Sequence, residues 1–356
     1  MSAIALVGDE PELAEHILAV LLERGIAAAD LRVFSKEELH GTTLSAGEED
    51  FRVELAEAPE LAGSDAVVFF GGPELARELS GSTPPGAIVV DATSWSRGQA
   101  GAVLVVPEVN AGRVAEAGEG VVLAVPTPAV VGLAIALAPL HEAARVRRVV
   151  ATVLHPASAA GAGGVQRLSR QSVTLLQGRS LDPEEDPELL AHNVRPVPGS
   201  AESAFAPSEQ EIARETAALF GEPRIEVLAT VLRVPVFYGI GQSLYVEMEE
   251  SLDADEAERI LRDAPSVVVA SDDVEGEAAR EAAEDVELDD DEPQMLRDPC
   301  PGPVDVNGSD AVHVARVRVD PRRPGSLALW ISFDDQRKGV ALSVASILEI
   351  AMRERR

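Results

Sequence analysis

His155 ends an apolar run, Val149 to Leu154, and is followed by Pro156, Ser158 and small residues from Ala159 to Gly164. An imidazole in such a loop could act as a general base. No nucleophile is evident beside it, so a hydrogen-bonded structural histidine is the expectation. Two arginines stand at comparable places. Arg97 follows Asp91-Ala92-Thr93-Ser94-Trp95-Ser96, and Arg233 opens Arg233-Val234-Pro235-Val236-Phe237. A guanidinium there can hold a small anion, or it can pair with neighbouring acids. The single cysteine, Cys300, lies between Pro299 and Pro301, which takes it away from the backbone donors that activate a thiolate, so it reads as an inert loop thiol. His16, His40, His141, His192 and His313 show no metal-ligand spacing, and no metal site is expected.

The elements that would position these residues fall into two textures. Ile4 to Gly8 is a short apolar run of the buried parallel kind, and Leu13 to Leu22 then has helical spacing ending near Gly25. Further apolar runs at 31–35, 66–70, 87–91, 103–106 and 121–125 continue the alternation. This predicts a Rossmann-like, doubly wound parallel sheet. After about residue 146 the strands become longer and alternate: 149–154, 225–236, 243–248, 312–319 and 327–333. Helical stretches at 164–176 and 208–220 lie between them. A mixed or antiparallel sheet with helices on one face is predicted there, an α+β domain. Gly339 to Arg355 reads as a helix with basic residues in its last turn.

The chain has 356 residues, 46% of them hydrophobic, enough for two cores. Its formal net charge of −31 disfavours nucleic acid and anionic membranes. The start lacks the basic region of a signal peptide, and no apolar run is long enough to span a membrane, so a cytoplasmic location is the expectation. Lys36 and Lys338 are the only lysines. Residues 272–292 hold twelve acids against Arg280 and read as a solvated surface insertion.

The turn after the first strand is Gly8-Asp9-Glu10-Pro11-Glu12. A dinucleotide fold would place a glycine-rich turn there, so that backbone N–H groups approach a pyrophosphate. Three carboxylates repel that ligand, which leaves Gly8, Gly71 and Gly72 as weak cofactor-binding candidates. Several segments then carry a resemblance. Val106-Pro107-Glu108-Val109-Asn110, Leu137-Ala138-Pro139-Leu140-His141, Arg233 to Phe237, Arg316 to Asp320 and Asp334 to Leu342 resemble the aspartate-semialdehyde dehydrogenase family. Arg233 to Gly239 followed by Gln242 is closest to its Usg-type divergent paralogues.

The resemblance implies a cysteine thiolate that forms a thioester, a histidine acid–base and NADPH as hydride donor. Carried over residue by residue, the thiol's place is Pro128, beside Thr127, whose position suits a helix cap. The histidine's place is Ile240 and the substrate-orienting glutamine's is His155. The phosphate-site lysine's place is Glu211, and that of the asparagine near the nicotinamide is Asp335. Arg97 matches the phosphate-binding arginine and Arg233 the carboxylate-binding one. The expected domains are 1–129, completed by the helix at 338–356, and a dimerisation domain at 130–337.

The function expected from this pattern is a non-catalytic paralogue in a homodimeric binding or scaffold role, with no catalytic residue and no cofactor. The alternative is an NAD(P)-dependent oxidoreductase acting on an aldehyde in amino-acid biosynthesis, with an altered site and NADP as cofactor. A mixed dimer with a related dehydrogenase is a third possibility. The lysine-poor acidic composition resembles that of proteins adapted to high salt. On that reading the melting temperature rises between low and molar KCl; an unchanged melting temperature refutes it.

Overall fold

A computed structural model describes residues 3–118, 120–182, 184, 186–221, 225–270 and 300–355. The acidic stretch 272–292 lies outside the described residues.

Strand β1, Ile4–Gly8, is buried at every position, because helices cover both faces of its sheet. On one side Ile4 and Leu6 join Leu13, Ile17 and Leu21 of helix α1, Pro11–Glu23. On the other, Ala5 and Val7 join a separate cluster with Leu75, Ala76 and Leu79 of α2, Pro73–Leu79. Between these helices run β2, Leu31–Ser35, a hairpin of β3, Thr43–Ala46, and β4, Glu49–Leu55, and then β5, Ala66–Phe70. After α2 come β6, Ile88–Asp91, β7, Ala102–Leu104, two short helices α3, Pro107–Asn110, and α4, Gly112–Glu116, and β8, Val122–Ala124. The order is β3-β4-β2-β1-β5-β6-β8-β7, parallel except for the edge strand β3. This is the predicted doubly wound sheet, enlarged by the β3–β4 hairpin.

Helix α5, Pro128–Ala144, leads into the second sheet and is buried along most of its length. Strand β9, Val146–His155, pairs in parallel with β11, Glu226–Arg233, and antiparallel with β12, Ile240–Met248. Helix α6, Gly161–Leu176, the short strand β10, Arg195–Pro196, and α7, Pro207–Phe220, lie between β9 and β11 in the chain. Helix α8, Ala254–Arg262, and β13, Val267–Val269, follow β12, and β14, Val312–Val319, and β15, Ser326–Phe333, complete the sheet. Its order is β10-β11-β9-β12-β15-β14-β13, a mixed sheet as predicted. Helices α5, α7 and α8 pack on one face. On the opposite face, among the described residues, Leu228, Thr230 and Ser243 are exposed, while Pro301 and Pro303 lie against Trp330 and Gly241.

The chain then makes a π-helical turn, Arg337–Ala341, before the last helix α9, Leu342–Glu354. The predicted start at Gly339 falls inside that turn. Helix α9 returns to the first sheet and packs on α1, α4 and β6. Lys338, only 2% exposed, pairs with Glu108 at 2.5 Å, tying the turn to α3. No helix among the described residues is long and apolar enough to cross a membrane.

Three contacts fix the start of α5. A Cβ on Gly132 would meet the Phe333 ring at 2.1 Å, so only glycine lets α5 lie this close to the end of β15. The fully buried Gln242 of β12 donates to the Ala129 carbonyl at 2.7 Å. Gly339 abuts Pro128, where a Cβ would come within 2.8 Å. Alanine for glycine inside a helix normally gains about 1 kcal/mol. Against the rigid Phe333 ring, overpacking outweighs that gain. Gly132→Ala should destabilise the protein by about 1–3 kcal/mol in chemical denaturation; a neutral or stabilising result would show that α5 can retreat freely.

Candidate functional site

The ends of the two sheets enclose a cavity of about 390 Å3. Ligands in open α/β sheets bind outside the carboxyl ends of strands, and the loops here follow β6, β8, β9 and β11. Asp91, at the end of β6, is wholly buried and accepts from the Thr93 and Ser96 N–H groups and the Ser96 hydroxyl. That folds the loop so that Arg97 reaches across the strand ends. Its Nε donates to the Val125 carbonyl at 3.0 Å and its Nη2 to that of Ala92 at 3.1 Å. Across the cavity, Arg233 ends β11 in register with His155 of β9 and Arg195 of β10. Arg97, Arg195, Arg233 and His155 all line the cavity. The two arginines singled out in the sequence therefore share one pocket.

The positions that the resemblance assigns to the thiol, the histidine, the lysine and the asparagine are there too. Pro128 and Ile240 line the same walls, and Glu211 and Asp335 complete them. Pro128 is the first residue of α5 and has no N–H to offer. Thr127 takes the N-cap position, yet its side chain makes no capping bond, contrary to the sequence expectation. Its N–H donates instead to Oε2 of the buried Glu215 at 2.7 Å. Burial raises the Glu215 pKa, and Arg97 and this N–H oppose the rise. Cys300 is exposed and does not line the cavity.

His155 departs from expectation in a second way. Among the described residues its ring has no hydrogen-bond partner. Burial, and then the charge of Arg233, push its pKa down to about 4. It is a neutral imidazole at pH 7, not a cation for an anion. Asp335, 3% exposed, accepts from the Gly239 N–H at 2.5 Å and the Ser158 hydroxyl at 2.7 Å. Burial pushes its pKa up. Sequence reading missed Arg167, Arg195 and Glu188, which line the cavity from α6, β10 and the loop between them. Their only sequence signal is a pair of arginines in a chain whose cations are few.

The candidate cofactor turn is occupied by its own side chains. Asp9 Oδ1 accepts the Gly72 N–H at 2.8 Å, and its Oδ2 meets Lys36 Nζ at 3.0 Å. Gly71, with φ of 75°, has no room beyond its Cα: a Cβ would lie 2.6 Å from Asp9 Oδ1. A Cβ on Gly161 would lie 3.0 Å from Glu10 Oε1. A Cβ on Gly8 would strike the Phe70 ring. Burial and the charges of Asp9, Glu12 and Asp335 raise the Glu10 pKa. Tyr238 crosses to donate to Glu12 at 2.7 Å. The space that glycines leave for a pyrophosphate is thus filled by carboxylates, and the residues present do not fit that group. No group of metal-ligating residues occurs among the described residues.

A nucleotide-type sheet joined to a mixed sheet, with a polar cavity at their junction, is the architecture of the semialdehyde dehydrogenase class. The sequence profile of the semialdehyde dehydrogenase NAD binding domain matches residues 3–117, and that of the semialdehyde dehydrogenase dimerisation domain matches 137–338. The chain belongs to the semialdehyde dehydrogenase family. It is 28% identical over 355 residues to the aspartate-semialdehyde dehydrogenase of Aquifex aeolicus, covering 99% of this chain and 98% of the relative. It is 28% identical over 353 residues to aspartate-semialdehyde dehydrogenase 2 of Vibrio cholerae, covering 99% and 98%. The crystal structure of aspartate semialdehyde dehydrogenase II from Vibrio cholerae superposes with a TM-score of 0.85, at 27% identity, over 99% of this chain and 98% of that one.

The depressed His155 pKa has a definite sign. Its folded value lies below its unfolded value, so the unfolded chain binds more protons between about pH 6.5 and 4. Its contribution to stability is present above that window and is lost as pH falls through it. His155→Gln should flatten the fall in stability over that window relative to the unmodified protein. A histidine NMR titration placing its midpoint near 6.5 would contradict this.

Proposed function

We propose that the protein binds a small carboxylate-bearing ligand in the cavity between its sheets and does not form a thioester with it. One observation carries the reading: Pro128 and Ile240 line the same cavity as Arg97 and Arg233. The two cations suited to an anion are kept together, while the places that the family resemblance gives to thiol and imidazole hold groups that neither attack nor move protons. In this reading the chain is a Usg-type divergent paralogue, and its cavity serves recognition. Arg233 takes the carboxylate, Arg97 a second acidic group, and neutral His155 offers a polar wall. Residues 1–129, completed by 338–356, form the nucleotide-type unit, and 130–337 form the dimerisation unit.

The exposed residues on that face of the second sheet support a homodimer. Leu228, Val150 and Tyr245 form one row across three strands, and Thr230, Thr152 and Ser243 the next. A sheet face that exposes Leu228 gains by pairing with a second copy. The same surface would admit a related dehydrogenase as partner.

The relatives favour a second reading, an NAD(P)-dependent oxidoreductase acting on an aldehyde in amino-acid biosynthesis. The NAD binding domain match and the names of the relatives support it. It requires Asp9 and Glu10 to leave the turn they now fill. Aspartate semialdehyde, phosphate and NADP separate the two readings. The first expects no NADPH formation above an enzyme-free control, and no calorimetric heat on titrating NADPH. Saturable NADPH binding with turnover would establish the second.

A further inference from the structure

Arg233 already holds a carboxylate. Glu188, from the loop between α6 and β10, lines the cavity and accepts from Arg233 Nη1 at 2.5 Å through Oε2. The same oxygen lies 3.8 Å from Arg167 Nη1. We infer that Glu188 is a built-in competitor for the ligand's carboxylate, so that a ligand takes Arg233 by displacing the Glu188 side chain. The inference rests on the reading that the cavity binds a carboxylate through Arg233.

The placement of Glu188 is built by the backbone. Gln171 of α6 is fully buried, and its Nε2 donates to the Glu188 carbonyl at 2.8 Å. Its Oε1 accepts from the Leu190 and Ala191 N–H groups at 2.9 and 3.1 Å. Asp186, which accepts from Arg170 and from Gln171, anchors the same loop two residues earlier. The main chain on both sides of Glu188 is therefore held without help from its carboxylate. That carboxylate can leave while the loop stays.

The geometry also makes it displaceable. The contact uses one guanidinium nitrogen and one carboxylate oxygen, between side chains that are 39% and 38% exposed. Pairs so exposed hold weakly. A ligand carboxylate that meets the guanidinium fork with both oxygens makes the stronger, bidentate contact. Arg195, beside Arg233 on the neighbouring strand, adds positive charge to the same wall. Once displaced, Glu188 can turn to Arg167. Its charge near Arg233 sets a threshold that a ligand must exceed, which favours ligands with a full carboxylate over neutral polar ones.

Calorimetric titration of the intact protein with succinate tests this, using Glu188→Gln, Arg233→Gln and the double variant. Glutamine keeps the size of Glu188 and the Gln171 contacts to its backbone. The inference expects Glu188→Gln to bind succinate about fivefold more tightly than the unmodified protein, the factor that a weak exposed pair is worth. It also expects both variants that lack Arg233 to bind no succinate, with melting temperatures unchanged. If the unmodified protein binds succinate through Arg233 but Glu188→Gln binds equally or more weakly, Glu188 only orients Arg233 and the inference is overturned. If neither the unmodified protein nor Glu188→Gln binds, or if Arg233→Gln binds as well as the unmodified protein, the carboxylate-cavity reading itself fails and takes the inference with it.

Discussion

The approach of α5 to the end of β15 governs where everything else sits. Gly132 gives up its side chain so that the Phe333 ring can lie against the helix backbone. That closeness brings the N-cap Thr127 and Pro128, the first residue of α5, beside the residues that follow Phe333. Gln242 then seals the joint from a third strand by taking the Ala129 carbonyl. Three segments distant in sequence meet at one corner, and the cavity is the space left beside it. A looser joint would part Pro128 from Gly339 and widen the cavity that Pro128 and Asp335 line.

How much of this the sequence discloses depends on how local each signal is. Strand β1 is legible because five consecutive apolar residues precede a glycine. Helix α5 is not, because a helix buried nearly all round has no polar face and therefore no period. The β3–β4 hairpin escapes for the opposite reason: its strands are polar on one side, and β3 has only four residues. At the site, Arg97 and Arg233 are legible as residue types beside turns, but their convergence depends on how two sheets meet. Glu188 and Arg195 are illegible for the same reason, since their partners lie across a loop and on a neighbouring strand.

The charge pattern is divided by place. The chain as a whole is strongly acidic, yet four arginines line one small cavity: Arg97, Arg167, Arg195 and Arg233. Such a pocket within an acidic exterior attracts a small anion only at short range, since solvent and salt screen the rest. At the neighbouring turn the balance is reversed. Asp9, Glu10, Glu12 and Asp335 crowd one seam, and burial raises the pKa of Glu10 and of Asp335 there. The cavity walls thus balance the four arginines with Glu10, Glu188, Glu211 and Asp335, and two of those acids, Glu10 and Asp335, also belong to the acidic turn.

The two lysines have a practical meaning of their own. Lys338 is sealed against Glu108, whereas Lys36 reaches the surface while it grips Asp9. An amine-directed reagent therefore finds, apart from the chain's first residue, a single reactive handle. That handle follows β2 and reaches the acidic turn at the end of β1 through Asp9. A dye attached there would report on the turn from a known position, with no need to engineer a cysteine.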